Sequence, residues 1–456
     1  MRTQQRVSLC ILFVILSLLF TQSITVNKPA AANTLAEHQT YLPLLLRKVF
    51  LPSSGELDPS FGQGGIVSIN FNDSWEYGQA IMIDKDGKIL ASGFTFADDY
   101  CYLLARFNMD GSLDTSFAGD GWVMIPFSIN ELVQQEDGKI VTVGSKTNDD
   151  WTRDIIVARF NPLDGSLDTS FGSEGLVTID LESHSYGYDL LLQPDGKIVV
   201  VGWTDMDGIY QLVVVRMNQD GSLDTSFGAE GMIITNLGYY NASANAVALQ
   251  DDNKILIGGY VVPDDMADIA VIRLNPDGSL DTSFDGDGWV STDFFGYDDL
   301  GADILLHPDG KIIAAGLSYG AMYSDPDMAL VRYNPDGSLD SSFGGGIAGE
   351  GKVVTDFGYG LTDSATAVAL QPDGKIVLAG VTYTIDFYTE HLSLFAVSRY
   401  NPDGSLDMTF AGDGLVTTDA GDSQQDISCN DMELQPNGKI LLIGEISSGF
   451  VMIRFK

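Results

Sequence analysis

The sequence predicts an all-β fold, a seven-bladed β-propeller of four-stranded antiparallel blades. Three observations carry this. A Gly-Ser-Leu-Asp-x-Ser-Phe motif recurs seven times with small variations, beginning at Gly55, Gly111, Gly165, Gly221, Gly278, Gly337 and Gly404. A tight-turn signal of the type Pro-Asp-Gly-Lys recurs once per repeat, at Lys88, Lys139, Lys197, Lys254, Lys311, Lys375 and Lys439. Each repeat also holds four short runs that are too brief and too β-branched for helices.

The period decides the architecture. Motif spacings are 56, 54, 56, 57, 59 and 67 residues, so one supersecondary unit is repeated and stacked. After each motif comes a glycine-rich turn and a short run such as Gly65–Phe71. A hairpin follows, as in Ala367–Gly380, where Asp-Gly between two apolar runs favours a tight reversal. The last run of the repeat, for example Leu103–Phe107, leads into the next motif. Four antiparallel strands repeated radially make a propeller blade. β-Solenoid coils are shorter than this period, and a string of sandwiches would not share one motif. The body begins at a motif and ends on a last run, so the ring is expected to be cut in a blade-to-blade crossing, with no strand exchanged between the chain ends.

The chain divides into residues 1–33, 34–50 and 51–456. Arg2 and Arg6 precede an uncharged apolar run from Val7 to Phe20, followed by polar and small residues to Asn33. That is the layout of a secretory signal peptide, with a retained anchor as the alternative. Residues 34–50 read as a spacer, and residues 51–456 as the propeller. The expected location is secreted or on the outer side of the cell envelope, with no membrane span beyond the N-terminal segment. The net charge is −39. Such a body repels phosphate backbones, which argues against nucleic-acid partners. Protein or carbohydrate partners remain, and a monomer is expected.

The motif Asn275-Pro-Asp-Gly-Ser-Leu-Asp-Thr-Ser-Phe284 and the repeated Gln-Pro-Asp-Gly-Lys resemble the delta-60 repeat, a bacterial family of β-propeller repeats. The resemblance covers about residues 51–456 and implies a propeller without implying an activity.

The repeated charges are expected to pair. The last run of every repeat carries an arginine, and six of the seven are followed by the aspartate of the next motif. The expected ion pairs at the blade junctions are Arg106–Asp114, Arg159–Asp168, Arg216–Asp224, Arg273–Asp281, Arg332–Asp340 and Arg399–Asp407. Ring closure would pair Arg454 with Asp58. The repeated phenylalanines (61, 117, 171, 227, 284, 343, 410) and leucines (57, 113, 167, 223, 280, 339, 406) are expected to wedge between blades. Cys101 and Cys429 both fall at strand entries on one side of the disc. An oxidising compartment would let them form a disulfide, with two unrelated thiols as the alternative.

No catalytic residue is assigned. The four histidines are scattered, with no metal-ligand spacing, and no nucleophile elbow or phosphate loop appears. No cofactor is expected; calcium is the one ion weighed, at Asp281, Asp285 and Asp287, against plain turn aspartates. Loops that fail to repeat, such as Phe96–Tyr100, Thr204–Gly208 and Thr384–Glu390, are acidic and aromatic and are the expected place for binding. The expected function is a non-catalytic exported binding or structural propeller. The alternatives are a propeller glycosidase or polysaccharide lyase using loop carboxylates, and a calcium-dependent adhesin-like module.

Overall fold

The computed structural model describes residues 55–456 apart from 72–75, 96–100, 264, 321–324, 346–347, 359–360, 384–392, 421–426 and 447–448. The expected signal segment 1–33 and spacer 34–50 lie outside the described residues, as do the loops Phe96–Tyr100 and Thr384–Glu390. The molecule is a seven-bladed propeller of four-stranded antiparallel blades, with no α-helix among the described residues.

The first strand, β1 (Ile66–Ile69), stands apart from the strand that follows it. Blade one is β2 (Glu76–Ile83), β3 (Ile89–Thr95), β4 (Cys101–Phe107) and β5 (Trp122–Ile125). Blade two is β6 (Glu131–Gln134), β7 (Ile140–Thr147), β8 (Arg153–Phe160) and β9 (Leu176–Ile179). Blade three is β10 (Ser185–Leu192), β11 (Ile198–Met206), β12 (Ile209–Met217) and β13 (Met232–Thr235). Blade four is β14 (Ala242–Leu249), β15 (Ile255–Val261), β16 (Asp268–Leu274) and β17 (Trp289–Thr292). Blade five is β18 (Asp299–Leu306), β19 (Ile312–Tyr319), β20 (Pro326–Tyr333) and β21 (Lys352–Thr355). Blade six is β22 (Thr362–Leu370), β23 (Ile376–Tyr383), β24 (Ser393–Tyr400) and β25 (Leu415–Thr418). Blade seven is β26 (Ile427–Leu434), β27 (Ile440–Ile446), β28 (Gly449–Phe455) and the N-terminal β1.

Two expectations are corrected here. The short run after each motif is the outer strand of the preceding blade, so the motif lies inside a blade and the crossing comes after the run. Consequently a strand is exchanged between the chain ends. β1 pairs antiparallel with β28, Ile66 opposite Ile453 and Val67 opposite Met452, and completes blade seven. The physical reason is edge satisfaction: without β1, the backbone groups of β28 would face solvent.

The first strand of each blade is innermost. Each contacts the first strands of both flanking blades, and β26 meets β2 to close the ring. Cores lie between neighbouring sheets; Val199 and Val201 of blade three pack with Ala242, Ile257 and Ile272 of blade four. The two faces of the disc differ. One, the turn face, carries the lysine turns and the repeated motifs. The other, the crossing face, carries the connection between the second and third strands of each blade and the blade-to-blade crossings.

A second-strand glycine sets the inner ring. A Cβ at Gly202 would stand 1.8 Å from the Tyr186 carbonyl oxygen, and Gly316 and Gly444 are as tightly covered. Opposite these glycines the inner strand carries a bulge, between Gly187 and Asp189, Gly301 and Asp303, and Cys429 and Asp431. Bulges re-aim the residues beside them, and here they place polar side chains toward the next blade.

Candidate functional site

On the turn face the structure brings together every arginine and aspartate singled out in the sequence. Nε–Oδ2 distances are 2.9 Å for Arg106–Asp114, 2.7 Å for Arg159–Asp168 and 2.8 Å for Arg216–Asp224. They are 2.7 Å for Arg273–Asp281 and Arg332–Asp340, and 2.8 Å for Arg399–Asp407 and Arg454–Asp58. Each arginine also lies over the ring of the motif phenylalanine, 4.2 Å from the centroid in Arg332–Phe343 and 4.9 Å in Arg106–Phe117. The pair itself sits within one blade. The arginine nevertheless reaches across the junction: Arg159 Nη1 donates to the Gln219 carbonyl at 2.7 Å, and Arg273 to that of Pro335 at 2.5 Å.

The turn lysines converge on the same carboxylates, a role the sequence did not suggest. Lys254 is 3.0 Å from Asp281, Lys311 2.8 Å from Asp340 and Lys439 2.6 Å from Asp58. Lys197 departs and pairs with its own turn residue Asp195 at 2.5 Å. Burial would raise these joint aspartates, but the lysine and serine hydrogen bonds and the arginine charge outweigh it, so Asp58, Asp168, Asp281, Asp340 and Asp407 fall well below the usual range. Asp114 falls to about 2. These charges are spent within the joint.

The motif phenylalanines are fully buried, whereas the leucines are not. Leu280 and Leu339 are 40% exposed; each leucine lies over the following turn glycine, so that a Cβ at Gly288 would stand 2.8 Å from the Cβ of Leu280. Leu57, Leu113, Leu167 and Leu406 are half-buried and do pack against the cores between neighbouring sheets; for the exposed Leu223, Leu280 and Leu339 the expected wedge is corrected. So is the disulfide: Cys101 and Cys429 are free thiols. Cys101 opens the third strand of blade one, while Cys429 is buried on the innermost strand of blade seven. Of the three aspartates considered for calcium, Asp281 is paired with Arg273 and Lys254.

The inner ring carries a set of acids that the sequence reading missed. The residue after the bulge is Asp189, Ala246, Asp303, Ala367 and Asp431 in blades three to seven, and the corresponding residues of blades one and two are Ala80 and Glu131. Asp189 accepts from Leu190 N–H at 2.6 Å and from Val247 N–H of the next blade at 2.6 Å. Asp303 does the same with Ile304 and Val368, and Asp431 with Met432 and Ile81. Burial, and then the charges of acids from other blades, push these groups up, to about 7 for Asp189 and well above the ordinary range for Glu131 and Asp431. Burial holds Asp303 at about 6. Acids of blades two, three, five and seven feel one another, which places them around the common axis.

The crossing face holds two further features. Blade three presents an aromatic group: Tyr186 and Trp203 stack with centroids 4.6 Å apart, and Tyr210 lies 4.7 Å from Trp203. Arg153 sits 5.0 Å over Tyr186, and all four side chains are half-buried. At the junctions of blades four and five and of blades five and six lie two equivalent carboxylate triads, Asp268–Asp293–Asp299 and Asp327–Asp356–Asp363, whose oxygens fall within 4.8 Å of one another. Each draws on the start of a third strand, the end of an outer strand and the start of the next inner strand. The only hint in the sequence is a shared Thr-Asp-Phe at 292–294 and 355–357.

Six segments, residues 85–117, 135–171, 193–227, 250–284, 307–343 and 371–410, match a family model described as "Domain of unknown function (DUF5122) beta-propeller". These six segments are thus similar to a β-propeller repeat of unknown function. Each matched segment runs from the lysine turn to the motif phenylalanine, so the family pattern is that of the joint. No curated protein matches. Among solved structures the chain is similar to the polysaccharide lyase Uly1, at 13% identity over 87% of this chain and 93% of that one, with a TM-score of 0.44. It is also similar to a catalytically inactive virginiamycin B lyase from Staphylococcus aureus, at 10% identity over 86% and 99% of the two chains, TM-score 0.42. A third is the propeller domain of the Trilobed protease from Pyrococcus furiosus, at 10% identity over 84% and 96%, TM-score 0.42. These are likenesses of fold alone.

Proposed function

We propose that the chain is an exported, monomeric, non-catalytic binding propeller of the delta-60 type that engages its ligand on the crossing face. The observation that carries this is the aromatic group of blade three. Tyr186, Trp203 and Tyr210 offer half-buried ring faces beside the non-repeating hairpin Thr204–Gly208, with Arg153 backing the first ring. Stacked rings with polar edges suit the apolar faces of sugar rings, and an uncharged glycan is not repelled by a body of net charge −39. The turn face is less suited, because its cations are already paired with aspartates.

The test is a glycan array probed with the purified chain and with Trp203→Ala. A retained glycan class whose binding drops at least tenfold in Trp203→Ala supports the reading. Absence of any glycan binding, or equal binding by the variant, overturns it. The catalytic alternative, a glycosidase or lyase, is favoured by Asp299 and Asp363, which burial raises to about 7, a range suited to a general acid. It predicts shortened oligosaccharide products, which chromatography of the array hits would reveal.

A further inference from the structure

We infer that the two carboxylate triads of the crossing face are a duplicated pair of calcium sites. Asp268 and Asp327 each precede the residue paired with the end of the neighbouring outer strand, Ile269 opposite Thr292 and Met328 opposite Thr355. Asp293 and Asp356 follow those threonines directly. Asp299 and Asp363 lie opposite Ser318 and Thr382, two pairs before the second-strand glycine. The same three positions are therefore used at two successive blade junctions.

The innermost member of each triad is the second, independent observation. Asp299 and Asp363 are both 0% exposed. One oxygen of each is held by a backbone N–H, from Phe294 at 2.8 Å and from Phe357 at 2.6 Å. The other oxygen, Oδ1 in both, is buried with no hydrogen-bond partner. The hydroxyls of Ser318 and Thr382 stand near these carboxylates and favour their charged form, yet they too complete no hydrogen bond of normal geometry. A buried carboxylate oxygen without a partner is costly, and the same arrangement occurs twice.

The remaining members fit a hard cation. Asp268 and Asp327 are half-buried, and Asp293 and Asp356 are exposed, so each site opens to water on one side. Among the described residues no lysine or arginine forms an ion pair with Asp293, Asp299, Asp327, Asp356 or Asp363, and Asp268 accepts from the Ser291 hydroxyl at 3.3 Å; Lys352 approaches the Asp293 carbonyl at 2.8 Å rather than its carboxylate. Calcium–oxygen distances of about 2.3–2.6 Å allow ligand oxygens up to about 5 Å apart on one ion, which contains the observed 4.8 Å limit. The donors are all oxygens, with no nitrogen or sulfur to select zinc, and the open side leaves room for the waters that complete a six- to eight-oxygen shell.

The pattern stops where the residues change. At the junction of blades two and three the corresponding positions are Asp154, Asp180 and Ser185, and Ser185 instead meets Thr204 at 2.8 Å. At the next junction they are Gln211, Asn236 and Ala242. These two junctions lack the third carboxylate, and among the described residues no third group of this kind occurs, which sets the expected stoichiometry at two ions. The inference does not depend on the glycan reading, and a calcium result leaves the array result standing or falling by itself.

The test is equilibrium dialysis of the chelator-stripped chain against labelled calcium, with melting temperature followed in parallel. Two ions per chain are expected. Asp293→Asn and Asp356→Asn, both at exposed positions that leave the buried carboxylate in place, should each lower the number to one. The double variant should bind none and lose the calcium-induced rise in melting temperature, while Asp252→Asn on the turn face should still bind two. Binding of less than one ion by the unaltered chain at millimolar calcium, or an unchanged stoichiometry in the folded double variant, overturns the inference.

Discussion

At the scale of single residues, the joint of the turn face is a three-way contact. One aspartate oxygen collects an arginine and usually a lysine, while the other caps a local turn through Ser60, Ser116 or their counterparts. The two cations are not equivalent. Arg106 is 8% exposed and stacked on Phe117, whereas the Lys88 side chain is 33% exposed. Removing the partner of a buried charge costs about 3–5 kcal/mol, against about 0–1 kcal/mol for an exposed pair. Asp114→Ala is thus expected to lower stability by several kcal/mol and Lys88→Ala by less than about 1 kcal/mol, as read by urea unfolding. Equal effects would show that the arginine is held by its ring contact rather than by charge. Blade three already supplies a natural comparison, since Asp224 retains Arg216 while Lys197 pairs elsewhere.

At the scale of elements, the blade is displaced by one strand from the sequence repeat. The motif, turn and paired charges were legible because they are local: Arg106 and Asp114 are eight residues apart, and Asp-Gly dictates its own reversal. Which neighbour the short run after the motif joins was not legible, because two sheets compete for it and only the assembled ring decides. The closing strand follows from that choice. A chain beginning at residue 72 would lose β1 together with Asp58 and the buried Phe61. Loss of the phenylalanine alone costs about 3–5 kcal/mol. Such a chain is expected to unfold at lower urea and to associate through the exposed edge of β28, which light scattering detects; an unchanged midpoint would mean that closure contributes little.

At the scale of the whole molecule, two populations of acids pull stability in opposite directions with pH. Axial acids raised to about 6 or 7, Asp189, Asp303 and Glu433, bind protons in the folded state that the unfolded chain has already released. Stability therefore falls as pH rises from about 4 to about 7. The joint aspartates behave in the reverse sense: their folded values are lowered, so their contribution is present above about pH 4 and is lost as pH falls further. Melting temperature is expected to peak near about pH 4–5 and to be lower at pH 8. Glu131→Gln should raise it at pH 8 with little change at pH 4. A maximum at neutral pH would contradict the assignment. The axial acids and the triads escaped the sequence reading for a common reason: each group is assembled from strands in several blades, and no local spacing announces it.

Around the axis, three aspartates each stand before a blade whose corresponding residue is alanine, and each borrows the backbone N–H which that alanine leaves available. Such donor-and-lender couples tile a ring only in twos, and seven is odd. One blade must be left over. It is blade two, where Glu131 faces a neighbour whose Leu190 N–H is already committed to Asp189. The chain ends meet in blade seven, so the ring has two seams in different places: one where the polypeptide is joined, and one where its pairing by twos fails.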